Sequence, residues 1–226
     1  MYAKYIKRPL DFFLSLTAIL LLSPVLLILI VLGAVMMKGN PFFVQHRPGK
    51  DERIFRIIKF RTMTNCRDGE GNLLPDHLRL IGYGKFLRST SLDELPELFN
   101  ILIGDMAFIG PRPQLVRDMV FMSDTQRLRH SVRPGLSGLA QINGRNAIRW
   151  ENKFSFDLDY IENITFMGDM KIVFQTVIKV FKRADITEEG METAEDLGDY
   201  LLRIGQVDQE TYTLKQTVAK ELVGMR

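Results

Sequence analysis

Residues 12–37 carry no charged side chain, a run longer than the roughly 20 apolar residues that an α-helix needs to cross the hydrocarbon core of a bilayer. A secretory leader has a shorter apolar stretch and a small-residue cleavage site, neither of which fits here. Lys4, Lys7 and Arg8 precede the run, and Lys38, Arg47 and Lys50 follow it. Positive charge near both ends favours keeping both ends on the cytosolic side. Ser23-Pro24 falls near the middle. Proline removes one helix hydrogen bond and clashes with the carbonyl four residues back, so it bends a helix, and a neighbouring serine hydroxyl can satisfy a freed carbonyl. Length and charge thus predict a membrane helix and leave two courses open, a single span and a bent helix that enters and leaves the same face.

Beyond residue 38 the pattern changes. Residues 41–45 (PFFVQ) and Ile54–Phe60 (IFRIIKF) are β-branched and aromatic, with the turn signal Arg47-Pro48-Gly49-Lys50-Asp51 between them, so a β-hairpin is predicted. Residues 65–76 are polar and glycine-containing and read as a loop. Residues 92–103 read as a helix ended by Gly104-Asp105, and residues 114–132 as another. Gly110-Pro111-Arg112-Pro113 between them is stiff, non-helical chain. Residues 133–145 hold several glycines and a proline and read as loop or short strand. Trp150, Phe154, Leu158 and Ile161 fall on one face of a helix. Residues 169–183 form a further helix in which Lys171, Lys179, Lys182 and Arg183 alternate with apolar residues. That pattern suits an anionic membrane surface and, equally, a core-facing helix with a solvated basic face. From Ile186 onward the chain is acidic and then mixed, with helical character.

The fold class expected is α+β, mainly helical. Residues 1–38 are the anchor, 39–190 a soluble body that opens with the hairpin, and 191–226 a C-terminal extension, helical or partly disordered. With 226 residues the chain is long enough for one domain of ordinary size plus an anchor. A mean hydropathy of −0.00 is too polar for a bundle of spanning helices. A net charge of +3 leans basic and admits membrane surfaces, phosphates and nucleic acid as partners. A single cysteine, Cys66, excludes an internal disulfide and fits a reducing compartment. His46, His77 and His130 are scattered, with no Cys/His zinc spacing.

The densest cluster of chemistry is Arg88-Ser-Thr-Ser-Leu-Asp93-Glu94-Leu-Pro-Glu-Leu98. Ser91 and Glu94 match a capping box, which would put Asp93 and Glu94 in a first helical turn, where the helix end favours an anion and a nearby phosphate. Pro96 leaves the helix start open. Adjacent carboxylates can supply a nucleophile or metal ligand and a proton acceptor, and they also occur as plain helix starts. The basic residues shift that balance. Lys59 and Arg61 end a strand, Arg88 precedes the acidic pair, Arg112 lies between two prolines, and Arg133 and Arg145 flank a glycine-rich loop. Guanidinium forks match phosphate oxygens, and stiff glycine- and proline-rich loops let backbone approach a ligand. Asp169, after Gly168 at a helix start, is a second acid or a cap. Carboxylates, arginines and phosphate together imply Mg²⁺, so the residues read as metal-assisted phosphoryl transfer at a membrane surface.

Several motifs then stand in one order: Lys7-Arg8-Pro-Leu-Asp11, Ser23-Pro24, Pro41-Phe-Phe-Val-Gln45-His-Arg47-Pro-Gly49, Lys59-Phe-Arg-Thr-Met63, Thr90-Ser-Leu-Asp-Glu-Leu-Pro96, Gly104-Asp-Met106, Gly110-Pro-Arg-Pro113, Val132-Arg-Pro-Gly135 and Ala140-Gln-Ile-Asn-Gly-Arg-Asn146. Each alone is weak, but the series is highly specific. Together they resemble the bacterial sugar transferase family, the monotopic phosphoglycosyl transferases, and most of all its small PglC-type members. The likeness runs from about residue 2 to residue 190, and the chain after about residue 192 lies beyond it.

The resemblance implies transfer of a sugar phosphate from a UDP-sugar to a polyprenyl phosphate, usually undecaprenyl phosphate, with release of UMP, as the first membrane step of bacterial glycoconjugate assembly. It implies that Asp93 forms a covalent sugar-phosphate intermediate and holds Mg²⁺, and that Glu94 handles protons or positions the metal and acceptor. It implies that Lys59 and Asp169 are essential, and that Arg88, Arg112 and Arg145 contact phosphates or the nucleotide. It implies a re-entrant anchor bent at Ser23 and Pro24, and a body on the cytoplasmic face of the inner membrane. Nucleic acid is not an implied partner, and a homodimer is admissible. The donor sugar is not legible. Two other readings remain at this level: a Mg²⁺-dependent hydrolase that passes the sugar phosphate to water, and a non-catalytic membrane scaffold that binds a nucleotide sugar.

Overall fold

The computed structural model describes residues 1–144, 148–182 and 195–224. As the sequence pattern predicts, the fold is mainly helical with small sheets. It opens with a π-helical turn, Tyr2–Ile6, which runs into the long helix α1 (Lys7–Met36). One stripe of α1 is buried, at Asp11, Ser15, Leu26, Leu29 and Gly33, with Ala18, Ile19, Leu22 and Ile30 partly buried along it. Spacings of three and four keep these residues on a single face. The other faces expose Phe13, Leu20, Leu21, Leu27, Ile28, Val31 and Val35. Only 17% of the most apolar window in Tyr2–Met36 is buried, so this is not the core helix of a soluble body, and it is long and apolar enough to cross a membrane. Pro24 lies inside α1. Its missing N–H leaves the Leu20 carbonyl without a helix donor, and the Ser23 hydroxyl donates to that carbonyl at 2.8 Å.

The hairpin forms between β1 (Phe42–Pro48) and β2 (Ile54–Phe60), antiparallel, with Phe42 opposite Phe60 and Pro48 opposite Ile54. Strand β1 runs further than predicted and takes in Arg47 and Pro48. Among the described residues its partner is β2 alone, so it is an edge, and an edge tolerates a proline at its end. A loop with a short helical turn, Asp76–Arg79, leads to α2 (Gly82–Thr90), an element the sequence reading does not contain. Helix α2 buries Leu87 completely and packs so close to β2's exit that a Cβ on Gly84 would lie 1.8 Å from the Thr62 carbonyl oxygen. A 3-10 turn, Leu92–Glu94, precedes α3 (Glu97–Ile103), which stops at Gly104 with a φ of +98°, the left-handed geometry that glycine adopts without strain. Asn100 fastens α3 to β2: its Oδ1 accepts the Ile58 N–H at 3.1 Å and its Nδ2 donates to the Arg56 carbonyl at 2.8 Å.

Strand β3 (Ala107–Ile109) pairs in parallel with β4 (Gly135–Ser137). Between them, the helix predicted over residues 114–132 is corrected to two single helical turns, Val116–Met119 and Asp124–Arg127, and a 3-10 turn, Leu128–Ser131. Met119, Val120, Phe121 and Met122 are all buried in succession, which one face of one helix cannot achieve. Ser123 then starts a fresh turn through a reciprocal pair of bonds with Gln126. In α4 (Trp150–Glu162) the buried line is Trp150, Phe154, Asp157 and Tyr160, rotated from the predicted face because two polar side chains are drawn inward. Helix α5 (Phe166–Lys182) follows. Finally α6 (Leu197–Arg203) and α7 (Gln209–Gly224) pack Leu197 and Ala219 into a cluster with Phe121, Met122, Trp150 and Phe154.

Asp157 is 2% exposed and accepts two bonds from the buried Arg129 guanidinium, at 2.9 and 2.6 Å. Arg129→Met strands that carboxylate and is expected to cost about 3–5 kcal/mol in denaturant unfolding. Arg129→Met combined with Asp157→Leu should recover most of the loss, since an apolar pair replaces a stranded charge.

Candidate active site

Lys59 stands next to the end of β2, and its ammonium meets two carboxylates, Glu94 Oε1 at 2.8 Å and Glu97 Oε1 at 2.9 Å. Arg112, in the stiff segment after β3, places Nη2 2.8 Å from the same Glu94 oxygen. Arg112 is held in turn by its own backbone, because its carbonyl accepts a 2.7 Å bond from Arg129, and the next carbonyl, that of Pro113, accepts one from Arg47 at 3.0 Å. Arg88, at the end of α2, donates from Nε to Thr62 Oγ1 at 3.1 Å and lies close enough to favour ionised Asp93. The structure thus brings Lys59, Arg88, Asp93, Glu94 and Arg112 together. It adds Glu97, which the sequence reading missed. The available signal was spacing: Glu97 is three residues after Glu94, and Asn100 three after that, so one side of this segment faces β2.

The two adjacent acids are in opposite situations. Burial raises the Glu94 carboxyl, but Lys59 and Arg112 outweigh it and hold the group well below the usual carboxylate range. Asp93 is half-buried, and no hydrogen bond or ion pair reaches its carboxylate among the described residues. Burial and the neighbouring Glu94 charge push it up to about 6. Lys59 is penalised by burial, yet Glu94 and Glu97 raise it overall, so it stays charged. The result is one clamped anion, Glu94, beside one uncommitted carboxylate, Asp93. As for metal, no cluster of three or more His, Cys, Asp or Glu ligands exists among the described residues. One uncommitted carboxylate still fits the Mg²⁺ mode in which substrate phosphates and water supply the other ligands.

The predicted capping box does not form. Ser91 sits in the left-handed region at φ +56°, where it ends α2, and its side chain caps no helix. The Glu94 carboxylate is taken by Lys59 and Arg112 instead, and α3 starts only after Pro96. Asp169 is not brought to this cluster. Its carboxylate is 2% exposed and accepts from Tyr2 at 2.7 Å, Lys7 at 2.5 Å and Tyr160 at 2.9 Å, so it clips the start of α1 to α4 and α5. Neither does it cap α5, whose first turn is bonded by Thr165 through the N–H groups of Gly168 and Asp169. Arg133 donates to the Gly104 carbonyl at 2.7 Å and borders a cavity of about 90 Å³ lined by Lys7, Arg8, Asp11, Lys50 and Tyr160 among others, at the clip and not at the carboxylates. Arg145 lies outside the described residues.

Fold and site describe an anchored α+β protein with a buried acid–base cluster, and comparison with known proteins gives it a class. Residues 2–183 match the model of the bacterial sugar transferase family, and the chain belongs to that family. It is 46% identical over 192 residues to the uncharacterized sugar transferase EpsL of Bacillus subtilis, covering 84% of this chain and 94% of that protein. It is also 40% identical over 185 residues to the UDP-glucose:undecaprenyl-phosphate glucose-1-phosphate transferase of Klebsiella pneumoniae. A third relative, 38% identical over 182 residues, is the UDP-N-acetylgalactosamine-undecaprenyl-phosphate N-acetylgalactosaminephosphotransferase of Aeromonas hydrophila. The matched segments make up 77% and 76% of this chain but 40% and 43% of those two longer proteins.

Asp169→Ala removes the common acceptor of Tyr2, Lys7 and Tyr160. The expected loss is about 1–3 kcal/mol of local stability, read as faster proteolysis at Lys4 and Lys7 in detergent. Cleavage elsewhere in the chain should keep its wild-type rate.

Proposed function

We propose that this protein transfers a sugar phosphate from a UDP-sugar to a membrane polyprenyl phosphate, undecaprenyl phosphate, and releases UMP. The observation that carries this reading is the contrast between Asp93, whose carboxylate has no hydrogen-bond or ion-pair partner among the described residues, and Glu94, clamped by Lys59 and Arg112. An uncommitted carboxylate beside cations is a nucleophile for an electrophilic phosphorus. In the first step an Asp93 oxygen attacks the β-phosphorus of the donor, the phosphoanhydride bond breaks, and its electron pair leaves with UMP. In the second step a phosphate oxygen of the polyprenyl phosphate attacks the aspartyl sugar phosphate and returns the carboxylate. Lys59, Arg88 and Arg112 offset phosphate charge, and Glu94 keeps Lys59 and Arg112 aimed. When bound, Mg²⁺ would add charge neutralisation at the phosphates, held by Asp93 and the substrate. The printed names of the Klebsiella and Aeromonas relatives, both acting on undecaprenyl phosphate, support the acceptor.

The reading includes a re-entrant anchor, bent at Ser23-Pro24, on the cytoplasmic face of the bacterial inner membrane. Both ends of α1 touch the body, which supports it: Arg8 donates to the Ile101 and Leu102 carbonyls at 2.7 and 2.8 Å, and Tyr83 donates to the Leu29 carbonyl at 3.1 Å. The exposed apolar residues Phe166, Met167, Phe174 and Val177 of α5 support a second contact with the same surface.

The test is UMP release by purified protein in detergent with Mg²⁺, polyprenyl phosphate and a panel of UDP-linked hexoses and N-acetylhexosamines. Release should require lipid, follow ping-pong kinetics and stop with chelator. Release without lipid would instead mark a hydrolase. Asp93→Asn should lose activity by more than about a thousandfold. Because Asp93 attacks in its ionised form, activity should be present above about pH 6 and fall as the pH drops through that value. For topology, Ala3→Cys in a Cys66→Ser background should resist an impermeant thiol reagent in intact cells. Labelling from outside would sink the re-entrant course.

A further inference from the structure

Glu97 is the deepest acid of the cluster, 2% exposed on the first turn of α3. Its Oε1 lies 2.9 Å from Lys59 Nζ, yet that oxygen has no hydrogen bond of acceptable geometry. Lys59 spends its well-aligned bond on Glu94 at 2.8 Å. Glu97 is therefore the most buried carboxylate of the group, and its Oε1 has an ion-pair partner but no aligned donor among the described residues. The charged groups that face it are Lys59 from β2, Arg47 from β1, Glu94 from the 3-10 turn, and Arg112 from the segment after β3. The acids Asp93, Glu94 and Glu97 are offset here by Lys59, Arg88 and Arg112, with Arg47 facing Glu97 as well. An incoming diphosphate adds negative charge beside these acids, and Glu97, the one furthest from water, has the least solvent to offset that repulsion.

We propose that Glu97 is a positioning residue for Lys59: it takes up a proton when a phosphate-bearing substrate occupies the site, and so releases the Lys59 ammonium from itself to Glu94 and the phosphate. The proton comes from solvent, and no bond to carbon or phosphorus changes in this step. Burial, with Glu94 adding to it and Lys59 opposing, pushes the Glu97 carboxyl up to about 7, so the exchange needs no large driving force. Gln at this position would mimic the protonated form. By linkage, a substrate that favours the protonated form binds more weakly as the pH rises through the Glu97 midpoint. This role rests on the transferase reading of the site, because it needs a phosphate-bearing substrate.

Two measurements test it. In the first, ¹³C NMR of glutamate-labelled protein without substrate should show one carboxyl titrating near neutrality, absent in Glu97→Gln. In the second, KM for the donor that supports UMP release is followed from about pH 6 to about pH 8.5, a range in which a UDP-sugar diphosphate does not itself titrate. Wild-type KM should rise by about fivefold or more, whereas Glu97→Gln should hold the low value throughout, with kcat still falling below about pH 6 through Asp93. A KM rise that survives in Glu97→Gln, or no neutral-range carboxyl in wild type, overturns the role while leaving the transferase intact. Absence of UMP release from wild type with any donor overturns the transferase reading, and this role with it. If Glu97→Gln does not fold, Glu97→Asp takes its place: its carboxylate is one methylene further from Lys59, so its KM rise should move to a different pH, and an unmoved rise counts against the role.

Discussion

Lys59 joins the hairpin to the acidic segment, and the rest of the site depends on that contact. Without its ammonium, Glu94 and Glu97 would be neighbouring buried anions beside Asp93, a combination that cannot stay ionised in a low-dielectric interior. With it, Glu94 keeps its charge, Asp93 is left uncommitted, and Arg112 has an anion to aim at. The strand fixes where that ammonium is. Lys59 lies opposite Phe43 in the ladder, and Asn100 bonds the strand on either side of Ile57, at the Ile58 N–H and the Arg56 carbonyl, so α3 cannot slide along β2 without breaking both bonds.

The same helix that carries Glu97 receives the anchor. Arg8 donates to the Ile101 and Leu102 carbonyls in the last turn of α3, where the unpaired carbonyls and the helix dipole favour a cation. Beside it, Asp169 collects Tyr2, Lys7 and Tyr160. The beginning of the apolar helix is thus tied by charged, half-buried bonds to the element that also positions the acids. A shift of the anchor relative to the body would be felt at α3, and so at Lys59. That linkage fixes Asp93 relative to the apolar helix.

Much of this was legible in the sequence, and the misses have physical causes. The uncharged run, the hairpin and the break at Gly104-Asp105 rest on strong local signals: absence of charge, β-branched alternation, and a left-handed glycine. Residue type and place in stiff chain point to the groups around Asp93, and Lys59, Arg88, Asp93, Glu94 and Arg112 do meet. What local pattern could not give was partnership at a distance. Ser91 and Glu94 have the spacing of a cap, but a lysine 35 positions earlier competes for the glutamate and wins. Asp169 reads from its helix start as a second acid or a cap, whereas two of its three partners, Tyr2 and Lys7, are 167 and 162 residues away. Asp157 and Tyr160 are buried where hydrophobicity alone points to Leu158 and Ile161, because a buried arginine draws Asp157 inward.

Arg112 shows how such buried partnerships convert to function. A guanidinium on a loop is of little use for catalysis unless its backbone is stiff, because each rotatable bond that must be frozen at the moment of reaction costs rate. Two prolines stiffen the segment locally, and two distant contacts and one local one stiffen it further. Arg129 holds the Arg112 carbonyl, Arg47 holds the Pro113 carbonyl, and the Asp118 carboxylate accepts the Leu115 N–H at 3.0 Å. The other oxygen of Asp118 accepts the Leu197 N–H at 2.9 Å, so the first helix of the C-terminal extension is fastened to the same segment. The extension lies outside the residues that match the family, yet the carboxylate it attaches to, that of Asp118, also holds the Leu115 N–H, two residues beyond Pro113 and three beyond Arg112. The extension thus adds a buried bond to the carboxylate that ends the Arg112 segment, and a well-held segment there restricts the motion of the guanidinium that shares Glu94 with Lys59.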